Sequence, residues 1–242
     1  MAVHRLDLLR TAAPGAQRQL IHWLVVDRTG RRLRARHGPR RLGPAAGGGV
    51  VQRRARAVVD LLNAGMARAL ADRLTRGDMD AGWGMRTVSR DAAAYDALSY
   101  HRGSVWPHDT ALVVDGIARA GATGAAARLA DGVLTAPEHV DWRLPELFGG
   151  YDSDEVPTPV PYPTTCDPQA WSAAAPLSLL RTMLRLDPDV PAGTVTIGPA
   201  LRDDVTLRLT GIHLGDHRLD VTLADGRITA RTDPPLAVTV RL

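Results

Sequence analysis

The stretch Asp109–Leu134, DTALVVDGIARAGATGAAARLADGVL, decides the fold class, because it reads as two helices joined by a turn. Asp109 and Thr110 are residue types that cap a helix N-terminus, and the apolar spacing behind them predicts a helix over 111–120. Gly121 ends that run, Thr123 caps a second helix over 124–134, and Pro137 follows it. Helices linked by two or three residues fold back as an antiparallel hairpin, so the building unit of the chain is read as a helical pair.

The same periodicity extends outward. Upstream, Val58, Leu61, Leu62, Met66, Leu70 and Leu74 recur mostly at three- and four-residue steps, one face of a helix within 51–75. Downstream, Pro168 suits the first position of a helix reaching about Leu186, with a kink expected at Pro176. After Pro191 the period becomes two: TVTIG, VTLRLTGIHL, HRLDVTLADGRITAR and LAVTVRL alternate apolar and polar residues, and Asp225-Gly226 reads as a hairpin turn. The expected architecture is mainly α, a helical body over 51–190 followed by a small antiparallel β segment over 191–242. An Arg-rich leader over 1–50 is read as poorly ordered or unrelated to the rest.

The 242 residues suffice to bury a sizeable core, and 45% of them are hydrophobic. The single cysteine, Cys166, excludes an intrachain disulfide. No apolar run approaches the ~20 residues needed to span a bilayer, and Leu20–Val26 is broken by His22 and too short for a signal segment. These features read as a soluble, cytoplasmic protein without a membrane partner. The net charge of +4 is unevenly spread: residues 1–56 hold 13 arginines against Asp7 and Asp27, and the remainder is acidic. A basic arm is one signature of nucleic-acid binding. Arg28–Arg41 contains no Phe, Tyr or Trp on which a base stacks, so nucleic acid is the weaker reading.

Polar and aromatic residues concentrate between the helices. Met79–His108 is a long stretch without clear periodicity, yet it holds Trp83, Tyr95, Tyr100 and Trp106. Gly149–Asp167 is a second such stretch, punctuated by Pro157, Pro159, Pro161 and Pro163. Rings, Arg, His, Gln and carboxylates together suit a sugar site. Rings stack on the apolar faces of pyranoses, planar polar groups pair with neighbouring hydroxyls, and a carboxylate activates water. His101 and His108 stand seven positions apart with no third ligand evident, so no metal site is read. Asp152, Asp154 and Glu155 lack the spacing of a calcium loop and read as a solvated acidic turn. Cys166 reads as a small buried thiol, Asp109 equally as a helix cap, and Trp171 equally as a core ring.

Four motifs carry a resemblance: GWGMRT (82–87), YHRGSVWPHDTAL (100–112), RLPELFGGY (143–151) and PYPTTCDPQAW (161–171). In this order they resemble the C-terminal half of the catalytic domain of bacterial amylo-α-1,6-glucosidases, glycogen-debranching-type glycoside hydrolases built on an (α/α)6 barrel. The resemblance spans about residues 57–220. It implies a toroid of helical hairpins and inverting hydrolysis of α-1,6-glucosidic bonds in glycogen-like glucans or oligosaccharides, with no metal or organic cofactor. Carried over, Glu146 is the general base. Tyr100, His101, Arg102, Trp106, His108 and Asp109 would line the sugar subsite, and Trp83, Arg86, Gln169 and Trp171 would close its sides. The family's barrel has twelve helices and its general acid lies upstream of the base. This chain offers five or six helical candidates and no Asp or Glu before Trp83 in a recognisable motif. The resemblance therefore implies a barrel fragment without its acid, completed by a partner chain or left as a non-catalytic carbohydrate-binding remnant.

Overall fold

The structure is a computed structural model that describes residues 64–167, 169–198 and 206–240. The leader, the apolar positions Val58, Leu61 and Leu62, and Pro168 lie outside the described residues. Among the described residues, four α-helices precede six short strands. The helices are α1 (Ala64–Leu74), α2 (Pro107–Arg119), α3 (Thr123–Thr135) and α4 (Ala170–Met183). The strands are β1 (Asp187–Asp189), β2 (Thr194–Ile197), β3 (Leu207–Leu214), β4 (His217–Ala224), β5 (Arg227–Asp233) and β6 (Ala237–Val240). No helix among these residues is long and apolar enough to cross a membrane.

The hairpin expected at 109–134 is present as α2 and α3, but both helices start differently from the sequence reading. Pro107 occupies the first turn of α2 and Trp106 is its N-cap in extended backbone, so Asp109 sits inside the helix and makes no cap bond. An acid in the first turn still favours the helix dipole. Thr110, also expected to cap, is buried, and its hydroxyl accepts from the Met85 N–H at 3.0 Å. Ala122 precedes α3 without a side-chain cap, so Thr123 is likewise helical. Gly121 breaks the chain between them with φ +84°.

α2 packs against both α3 and α4, with α1 at its flank. Pro107, Thr110, Ala111, Val114 and Ile117 are its buried residues, spaced as one helical face. Ala111, Val114 and Ile117 meet Leu129, Val133, Leu179 and Met183 in the first of two cores. Leu180 and Leu184, on and just past the end of α4, enter the second core with Val195, Ile197, Leu209, Leu219 and Val221 of the strands. α4 thus joins helical body to β segment. In α1 the reading of the buried face shifts: Leu70 is 42% exposed while Ala71 is buried. Gly132 of α3 lies where a Cβ would sit 2.2 Å from the Gly82 carbonyl oxygen, so only glycine lets the helix approach the loop before Met85 this closely.

β3, β4 and β5 form an antiparallel meander. Asp225 and Gly226 both take positive φ between β4 and β5, as a type I′ hairpin demands. β1, β2 and β6 form a second sheet in which β2 and β6 run parallel. The C-terminal segment is therefore not wholly antiparallel: the meander intervenes between β2 and β6, and the chain returns to lie beside the strand it left.

Candidate active site

The irregular stretches are not loose. Isolated bridges join Arg86 to Val105, Val105 to Phe148 and Phe148 to Pro161. This ladder lays the four motifs side by side, one residue from each on successive rungs. Val105 and Phe148 exchange both backbone hydrogen bonds, at 3.0 and 2.8 Å, and both side chains are fully buried. A lone bridge is weak, but buried apolar rungs exclude water from it.

Glu146 stands two residues before Phe148, and its backbone is held on both sides. Its N–H donates to the Cys166 carbonyl at 3.0 Å, and its carbonyl accepts from the Ser172 hydroxyl at 3.3 Å. The Tyr100 hydroxyl donates to Glu146 Oε1 at 2.7 Å. Glu146 Oε2 has no partner among the described residues. Three rings surround Tyr100: His101, Trp106 and Tyr162, with centroids 4.6, 4.7 and 5.9 Å away, all edge-on. His101 in turn stacks on Trp106 with only 12° between the ring planes. Burial, then the hydrogen bond and charge of Glu146, push the Tyr100 phenol up to about 12. A carboxylate set among rings, with one oxygen open, is a chemical arrangement able to take a proton from water.

A second group adjoins the first. The N-terminus of α4 reaches Glu146 through Ser172, and the neighbouring Trp171 ring meets His108 edge-on at 5.0 Å. Trp171 is only partly buried. His108 Nδ1 lies 3.5 Å from Asp109 Oδ1 but makes no hydrogen bond among the described residues. Gln169 caps α4, its side-chain oxygen accepting from the N–H groups of Trp171 and Ser172. Arg102 is exposed and donates locally to Ser99.

Trp83 and Arg86 are placed elsewhere. Trp83 is 8% exposed, packed in the helical core edge-on to His139. Arg86 is fully buried and donates to the carbonyls of Gly150, Gly77 and Asp80 and to the Asp152 carboxylate, at 2.7, 3.0, 3.0 and 2.5 Å. A guanidinium engaged on every nitrogen has nothing left for a sugar; it pins the GWGMRT loop to the segment after Gly150. The acidic turn is accordingly not simply solvated, since Asp152 joins Arg86 and Arg90. Cys166 is exposed rather than buried, because its turn runs over the surface. Tyr162 is the residue the sequence reading overlooked, although it stands inside a quoted motif. A separate cavity of about 380 Å³, lined by Asp115, Arg119, Arg181, Arg185 and Asp187 among others, shares no residue with the aromatic face.

Residues 56–155 match the family model of the mannosylglycerate hydrolase MGH1-like glycoside hydrolase domain. A comparison with curated proteins finds no match. The matched segment contains the helical hairpin, Tyr100 and Glu146, and it supports a glycoside hydrolase relationship for the chain.

Proposed function

We propose that the chain carries the water-activating side of an inverting glycosidase site, with Glu146 as general base. The observation that carries this is the Glu146 carboxylate held 2.7 Å from Tyr100 within a cluster of rings, inside the segment that matches a glycoside hydrolase domain. In the reaction, Glu146 takes a proton from water as its oxygen attacks the anomeric carbon. The glycosidic bond breaks on the opposite face, and the leaving oxygen takes a proton from a general acid ~6.5–9.5 Å from the base. That acid comes from another part of the protein or from a partner chain. His101, His108 and Trp171, which keep some exposure, supply the rings and ring nitrogens that receive the sugar, and buried Trp106 backs them. The substrate class is an α-glucosidic oligosaccharide or glucan, α-1,6 linkages included.

The test is sugar release by the purified full chain, beside a Glu146→Gln control. Isomaltose and a limit dextrin are the first substrates, with mannosylglycerate added because the matched family takes its name from a hydrolase of it. Release that falls by ~100-fold or more in the control establishes Glu146 as the base. Sugar binding without turnover turns the reading to a carbohydrate-binding protein, and release unchanged in the control removes Glu146 from the chemistry.

A further inference from the structure

We propose that Tyr100 is not a sugar platform but the positioning residue of Glu146, fixing one carboxylate oxygen so that the other stays open to water. This rests on the reading of Glu146 as the base.

The geometry separates the two roles. Tyr100 is 36% exposed, so what separates the roles is its hydroxyl, committed to Glu146 Oε1 at 2.7 Å, and the three rings set edge-on around it. Its backbone is tied down as firmly: the Tyr100 carbonyl accepts from Ser104 Oγ at 2.8 Å and from Trp106 Nε1 at 3.1 Å. Ser104 and Trp106 are themselves buried and joined at 3.0 Å. The phenol is therefore aimed, and its one polar atom meets Glu146 Oε1. Nothing else among the described residues holds the Glu146 side chain, so rotation of the carboxylate is restrained by this one bond. The phenol keeps its proton far above neutrality, which makes it a permanent donor and unsuited to be the missing acid.

Two variants and two readouts decide it, using the full chain and the substrate that the wild type hydrolyses best. Tyr100→Phe keeps the ring and its packing and removes only the hydroxyl. The expected result is a ~10–100-fold lower kcat with KM within ~3-fold of wild type. A stacking role predicts the reverse, wild-type kinetics in Tyr100→Phe, and that result overturns the proposal while leaving Glu146 as base untouched. Should the wild type, without an acid supplied by a partner chain, hydrolyse none of the substrates, the pairing itself is still decided by spectroscopy. Tyrosinate absorbance at pH 11 should rise in Glu146→Gln, because removing the carboxylate charge releases the Tyr100 proton earlier; Tyr162 and Cys166 also face the phenol but are unchanged. Absorbance identical to wild type overturns the proposal.

Discussion

Arg86 shows how a residue's job is decided by burial rather than by its neighbours in sequence. Its fork meets three carbonyls and one carboxylate with no exposure to solvent. Removing one member of such a pair leaves the other partners desolvated and unmatched, so Arg86→Met should cost about 3–5 kcal/mol, read from the urea midpoint. Arg86→Lys should recover only part of this, because one ammonium cannot serve four acceptors spread around a planar fork. The sequence showed an arginine in a loop motif, and loops carry no periodicity from which burial can be read. Glu146 was singled out on the distinctive motif around it, and among the described residues its carboxylate has a single hydrogen-bond partner, Tyr100. Tyr100 adds an alkaline signature at the same scale. Its proton is held more tightly in the fold than in the unfolded chain, where the ordinary value is 10.0. Its stabilising contribution is therefore complete below pH 10 and is lost as pH rises toward about 12. Chemical denaturation at pH 9 and 11 should show a smaller loss of stability in Tyr100→Phe than in the wild type.

Among the elements, α3 and the meander make contrasting cases. Gly132→Ala places a methyl 2.2 Å from the Gly82 carbonyl oxygen, a clash with backbone that no rotamer relieves. It should destabilise by about 1–3 kcal/mol and loosen the GWGMRT loop, seen as faster amide exchange at Ala81 and Met85. In the meander, Asp220 of β4 accepts from the Gly211 N–H at 2.8 Å, where β3 bulges between Leu209 and Ile212. That hydrogen bond, with help from Arg231, holds its carboxyl below the ordinary value of 3.8. The linkage sign is then fixed: the stabilisation is present above that value and disappears as pH falls through the lower folded one. Asp220→Asn should flatten the acid limb of the stability curve. The strands and the Asp225-Gly226 turn were readable because period two and turn chemistry are local signals. Helix starts were not, since Trp106 caps α2 only because Pro107 and the ring cluster hold it there. The parallel pairing of β2 and β6 was equally hidden, because it joins segments separated by the whole meander.

At the scale of the molecule, the helical body presents apolar surface that its own described neighbours leave uncovered. α4 is apolar on nearly every side, which is the pattern of a helix buried all round. One face packs on α2 and its end enters the β core, yet Ala170, Ala173, Ala174 and Leu177 are exposed and recur at the spacing of a single stripe, with Leu177 at 49%. Trp142 at 57% and Leu98 at 40% add exposed apolar surface elsewhere on the same body. Water around a stripe of this kind favours covering it, and a second copy of the chain is the partner present in any purified sample. The full chain should therefore associate as concentration rises, visible as a concentration-dependent sedimentation coefficient, and Leu177→Glu should shift the chain toward the monomer without lowering its melting temperature, because the replaced side chain is half in solvent already. A monomer that stays monodisperse across the same concentrations, with Leu177→Glu indistinguishable from it, would show that the stripe is covered from within the chain and that no partner is needed to complete the helical body.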